Sequence, residues 1–203
     1  MNRKQIILLG YVLLLLLVMG CQSATINTYS DPSFNKNKIT KVAVFPIRNT
    51  RLAPSESMQI NRKIMQGINS KNPSIEIVSA QKALEILNQQ KLADDWADFL
   101  EDYSISGFPN GEILFRIGDA LGVDAIIQGE IVNMYQVDGR WGNNSGETRV
   151  TVRYTMLGVD SGKTLWEASS DGIKTTATTL GKAPALIEAI NLAQDKIIQN
   201  LPF

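Results

Sequence analysis

Histidine is absent from all 203 residues, and cysteine occurs once, at Cys21. Without an imidazole the chain lacks the commonest general base and the commonest transition-metal ligand. Ser-His and Cys-His nucleophile schemes and His/Cys zinc sites are excluded on that ground. A lone cysteine cannot form a disulfide within its own chain. An excess of either charge is missing too, since 20 basic residues face 20 acidic ones. That balance provides no basic stripe, so no nucleic-acid partner is expected. Long apolar runs are also wanting: residues 6–18 make the longest, short of the roughly 20 that a membrane-spanning helix needs. What survives of catalysis is carboxylate-only or Ser-Lys chemistry.

What the chain does have begins at its first residue. Arg3 and Lys4 precede the apolar run, which ends in Val18-Met19-Gly20-Cys21. A charged start, a short apolar stretch and a small residue before the cut define a secretory signal peptide over residues 1–20. The ending resembles the lipobox of bacterial lipoproteins. That resemblance implies cleavage between Gly20 and Cys21, a diacylglyceryl group on the Cys21 sulfur and an acylated new N-terminus. No other cofactor is expected. Each buried CH₂ of such a lipid contributes about 0.8 kcal/mol, so several chains anchor permanently where one would be marginal. Removal of Arg3 and Lys4 leaves the mature part near −2. Gln22 follows the cysteine, where some bacteria use Asp to retain lipoproteins at the inner membrane; the resemblance therefore favours the outer membrane, facing the periplasm.

Residues 21–40 are polar, with no hydrophobic period, and read as the lipidated N-terminus and a flexible tether. The folded domain is expected over residues 41–203. Lys41-Val42-Ala43-Val44-Phe45-Pro46-Ile47 is a compact apolar run suited to a buried strand. Ile60, Ile64 and Ile68 repeat at i, i+4, i+8 and predict a helix over residues 55–70. A short strand at 74–79 follows, with Ser79 placed to cap a helix over 80–90. Residues 94–103 are acidic, and read as an amphipathic helix with Trp96, Phe99, Leu100 and Tyr103 inward and carboxylates outward. The competing reading is a carboxylate pair or cation site, although no calcium-loop spacing is present and no metal is expected. Asn110 can cap a helix that Gly122 stops. Strands at 123–132, 149–156 and 163–169 form an antiparallel meander around the turn Asp160-Ser161-Gly162. A last helix starts near Pro184, with Leu186, Ile190, Ala193 and Ile197 on one face. The order β-α-β-α-α-α-β-β-β-α gives an α/β fold, a single mixed sheet with helices packed on it.

Three motifs in this order resemble one family. They are Val42-Ala43-Val44-Phe45-Pro46 followed by Asn49-Thr50, then residues 121–130 (LGVDAIIQGE), then residues 160–166 (DSGKTLW). Together they are similar to the periplasmic α/β domain shared by CsgG-type secretion lipoproteins, LpoB-type activators of penicillin-binding proteins and the N-terminal domain of TolB. The resemblance implies a protein that recognises a partner in envelope assembly or secretion and is not an enzyme. Two departures stand out: at most one long hairpin, over residues 130–159, where CsgG-type pores use two, and a shorter tether than LpoB-type activators carry. Partner contacts are expected at the hairpin tip, with Tyr135, Arg140 and Trp141 of the types enriched in binding hot spots. Trp166 is expected in the core. The alternatives are a homo-oligomeric, CsgG-like export-pore subunit and a hydrolase using Asp94, Asp98 or Asp124.

Overall fold

A computed structural model describes residues 25–48, 51–140, 145–176 and 181–203. The leader with Gly20 and Cys21, the pair Asn49 and Thr50, and Trp141 lie outside these residues.

The run Val42, Ala43, Val44 forms β2 (Lys41–Val44) and is buried on both faces, as parallel strands covered by helices are. Its neighbours β3 (Glu76–Val78) and β4 (Ala125–Val137) are both parallel to it. Beyond β4 the sheet turns antiparallel through β5 (Glu147–Gly158) and β6 (Lys163–Thr175). This is the expected meander, with Val150, Val152, Tyr154 and Met156 all buried on one face. The expected element order is found, with one strand added in front.

That strand corrects the reading of residues 21–40 as a tether. β1 (Ile26–Ser30) pairs antiparallel with β6, Ile26 opposite Ser170 and Ser30 opposite Trp166. A 3-10 turn, Lys36–Lys38, then leads to β2. β1 is an edge strand with four of its five residues exposed, so it carries no apolar alternation for a sequence pattern to show. The sheet order is β1-β6-β5-β4-β2-β3.

Helices cover the sheet unequally. On one face lie α1 (Pro54–Lys71) and α5 (Leu186–Gln199). They bury Ile60, Ile64, Ile68, Ile190 and Ile197 with Tyr154, Met156 and Trp166 of the sheet. Gly172 of β6 lets α5 sit close: a Cβ there would stand 2.0 Å from the Ala189 carbonyl oxygen. On the other face α2 (Ala80–Gln89), α3 (Ala93–Ser106) and α4 (Gly111–Leu121) cover only β3, β2 and the adjoining ends of β4 and β5. The caps are those the sequence marks. Ser79 Oγ accepts from Lys82 N–H, and Asn110 Oδ1 accepts from Glu112 and Ile113 N–H. Gly122, at φ +60°, ends α4 in the left-handed conformation. Phe45, Trp96, Phe99 and Tyr103 form a row of rings with centroids 4.2, 5.1 and 5.8 Å apart. These offset contacts fix α3 on the sheet.

Candidate functional site

The carboxylates raised by the hydrolase reading are placed first. Asp94 and Asp98 stand on the solvated outer face of α3, while Trp96 and Phe99 face the core. That is the amphipathic helix, and it removes the pair as a general acid and base. Asp124 has a structural partner set. One of its carboxylate oxygens accepts from Thr40 N–H at 2.7 Å, Thr40 Oγ1 at 2.8 Å and Lys41 N–H at 2.9 Å. Burial alone would raise its pKa, but these bonds hold it below the usual carboxylate range. Asp124 thereby ties the entry of β2 to the entry of β4. Among the described residues no three His, Cys, Asp or Glu side chains converge in a way that could hold a metal ion.

The part of the sheet that α2, α3 and α4 leave uncovered carries polar side chains. Arg149, Thr151 and Arg153 alternate along β5 with the buried row that faces α5. Arg153 donates to Glu130 at 2.7 Å, and Thr151 Oγ1 to Asp171 at 2.6 Å. Burial works against the Arg153 charge, yet the bond and charge of Glu130, with Glu167 and Tyr103 nearby, more than compensate and raise its pKa. Beside this row a cleft of about 370 Å³ opens between Arg48, Glu130, Val132 and Met134. The export-pore reading requires a hairpin with an apolar, lipid-facing band. Here one face of the β4–β5 hairpin packs through Ile131 and Met134 against the core that α1 and α5 share, and the other carries Glu130, Arg149 and Arg153. Among the described residues the hairpin, as folded, offers no such band.

Of the residues expected at a partner site, Tyr135 is 53% exposed and stands opposite Arg149 in the ladder. Arg140 is exposed as well, and Trp141 falls outside the described residues. The hairpin end is strapped to the segment before α5. Gly139 N–H donates to the Gly181 carbonyl at 2.9 Å, Ala183 N–H to Asp138 at 2.8 Å, and Thr148 Oγ1 to the Pro184 carbonyl at 2.6 Å. Val132, at the irregularity between Ile131 and Asn133, is exposed on the same arm.

A second apolar group at the opposite end of the sheet escaped the sequence reading, which saw only a turn there. Ile105, in the last turn of α3, is 80% exposed, and Phe108, in the α3–α4 turn, is 81% exposed. The turn is ordered by Gly107 at φ +71° and by Ser106 Oγ, which accepts from Phe108 N–H at 3.1 Å. Phe115 of α4 adds another half-exposed ring. Gly111, three residues after Phe108, packs on Gly162 in the β5–β6 turn. The signal available in sequence was an aromatic between Gly107 and Pro109, outside any apolar period.

No protein-family model and no curated protein sequence matches the chain. Solved structures of similar chain path exist. The PelC dodecamer from Paraburkholderia phytofirmans shares 20% identity at a TM-score of 0.44, over 85% of this chain and 94% of that one. Lipoprotein GNA1162 from Neisseria meningitidis shares 14% at 0.44, over 79% and 99%. The LpoB C-terminal domain from Salmonella enterica shares 15% at 0.38, over 68% and 83%. The similar structures thus include bacterial lipoproteins. At such identities and TM-scores they assign neither a site residue nor an activity to this chain.

Proposed function

We propose that this chain is a lipoprotein, anchored through acylated Cys21 in the outer membrane and facing the periplasm, that binds a protein partner in envelope assembly or secretion. The lipobox sequence before Cys21 and the Gln22 that follows it support the anchor and its membrane. The observation that carries partner binding is the exposure of Ile105 and Phe108 on an ordered turn. Large apolar side chains held in water by a fixed backbone bind with little ordering cost, and aromatic anchors of this kind dominate interfaces.

The test places a photo-crosslinking amino acid at position 108, and separately at position 140, of the full-length protein in living cells. A discrete protein adduct from position 108, lost when Ile105→Ser is added, is the expected result. An adduct from position 140 alone would return the partner site to the hairpin tip with Tyr135, Arg140 and Trp141. Adducts from neither position would overturn partner binding at both surfaces.

A further inference from the structure

Because β1 begins at Ile26, only residues 22–24 separate Cys21 from Thr25, the first described residue. Thr25 itself is fastened. Its carbonyl accepts from Asp171 N–H at 3.1 Å and from Ser170 Oγ at 2.7 Å, and its hydroxyl donates to Asp171 at 3.3 Å. Four Cα–Cα steps span at most about 14 Å. A lipid on Cys21 would therefore hold the bilayer close to one fixed point on the sheet, whatever path those three residues take.

The ladder says what lies around that point. Toward the chain start, β1 points along β6 from Ser170 to Asp171 and onward to Thr175. Tyr135 pairs with Arg149, which pairs with Ile173, two residues beyond Asp171. It is therefore about 7 Å farther along the strands and three strand spacings, roughly 14 Å, across the sheet. Val132 lies on the same strand, one step before the residue whose partner, Thr151, pairs with Asp171. In the other direction Lys163, beside the β5–β6 turn on which Gly111 rests, is eight residues from Asp171. At 3.3 Å per residue that is about 26 Å, beyond the reach of the leash.

We infer that, given the acylated Cys21 proposed above, the domain stands on the membrane with residues 132–137 of β4 and 147–151 of β5 toward the lipid surface. Val132 and Tyr135 meet the headgroup region, and the turn with Ile105 and Phe108 points away from the bilayer. Tyrosine suits such a boundary, because its ring is apolar and its hydroxyl can remain hydrated. The affinity comes from the acyl chains; the hairpin sets the orientation. A tether of the length the sequence suggested would have allowed any orientation, whereas three residues do not.

Once Cys21 is acylated, an added cysteine is the chain's single reactive thiol, so one fluorophore can be placed at will. Full-length protein carrying Val132→Cys, Tyr135→Cys or Phe108→Cys, each labelled with bimane, is reconstituted into vesicles of phosphatidylethanolamine and phosphatidylglycerol containing nitroxide-labelled lipid. Quenching at positions 132 and 135 with unchanged emission at 108 is the expected result. Equal quenching at all three, quenching at 108 alone, or none at any overturns the orientation. The intact mass of the same samples separates the two claims. With the lipid present on Cys21 a negative result removes the orientation only, and with the lipid absent the anchor itself falls and the orientation with it.

Discussion

Asp124 carries a load that its sequence neighbours do not reveal, since its three donors belong to Thr40 and Lys41 at the entry of another strand. Replacing it with alanine leaves two backbone N–H groups without their charged acceptor. Asp124→Ala should lower stability by about 1–2 kcal/mol, measured by urea unfolding, hydrogen bonds to charged groups being stronger than neutral ones. The sign of its pH dependence follows from the depressed pKa in the folded state. The contribution is fully present above the unfolded value near 3.9 and is lost as pH falls through the lower folded value. The gap between wild type and Asp124→Ala should thus be full at pH 7 and close below about pH 4. Tyr154 behaves in the opposite sense. Burial raises its pKa, and the bond from Gln194 Nε2 at 3.0 Å offsets only part of that. Its neutral ring stabilises the fold at neutral pH, and that contribution declines as pH rises above about 10, where the unfolded chain ionises. Tyr154→Phe should cost about 1 kcal/mol at pH 7 and flatten the alkaline decline. At this scale the inward placement of Trp166 and Trp96 was readable from alternation and helical spacing. The Asp124 cap was not, because its partners lie more than 80 positions away.

Among the elements, α5 depends on a missing side chain. Gly172 allows its backbone to approach β6, and Gly172→Ala would drive a methyl into the Ala189 carbonyl. The clash is with main chain, so the helix must shift. The variant should lose about 1–3 kcal/mol, seen as a lower urea midpoint with an unchanged slope. The helices were legible because each shows a cap or a stripe: Ser79, Asn110 and Gly122 at the ends, Ile60, Ile64 and Ile68 along α1. β1 was not legible for a physical reason. An edge strand with one half-buried residue and four exposed ones gains its place from backbone bonds to β6, which leave no mark on residue type. That strand also leaves three residues, and not about twenty, between the proposed lipid on Cys21 and the folded domain. A hairpin between β4 and β5 was foreseen; its strapping to the segment before α5 was not, for the bonds, one between backbone groups and two through the Asp138 and Thr148 side chains, join positions some forty apart.

At the scale of the molecule, the two ends of the sheet expose different side chains. The end near Thr25 carries Val132 and Tyr135, and the far end carries Ile105 and Phe108. Since both pairs are exposed, their substitution should leave folding stability within about 0.5 kcal/mol of wild type, so a lost adduct in cells reports binding and not unfolding. Ile105→Ser should therefore abolish the partner adduct from position 108 at an unchanged urea midpoint. The proposed lipid on Cys21 underlies both proposals, because without it the ends have no membrane to be near to or far from. The most direct measurement is the intact mass of the protein extracted from bacterial membranes. The expected result is a chain that begins at Cys21 and carries diacylglyceryl and an N-terminal acyl group. A chain that still carries residues 1–20, with an unmodified thiol at Cys21, would contradict it.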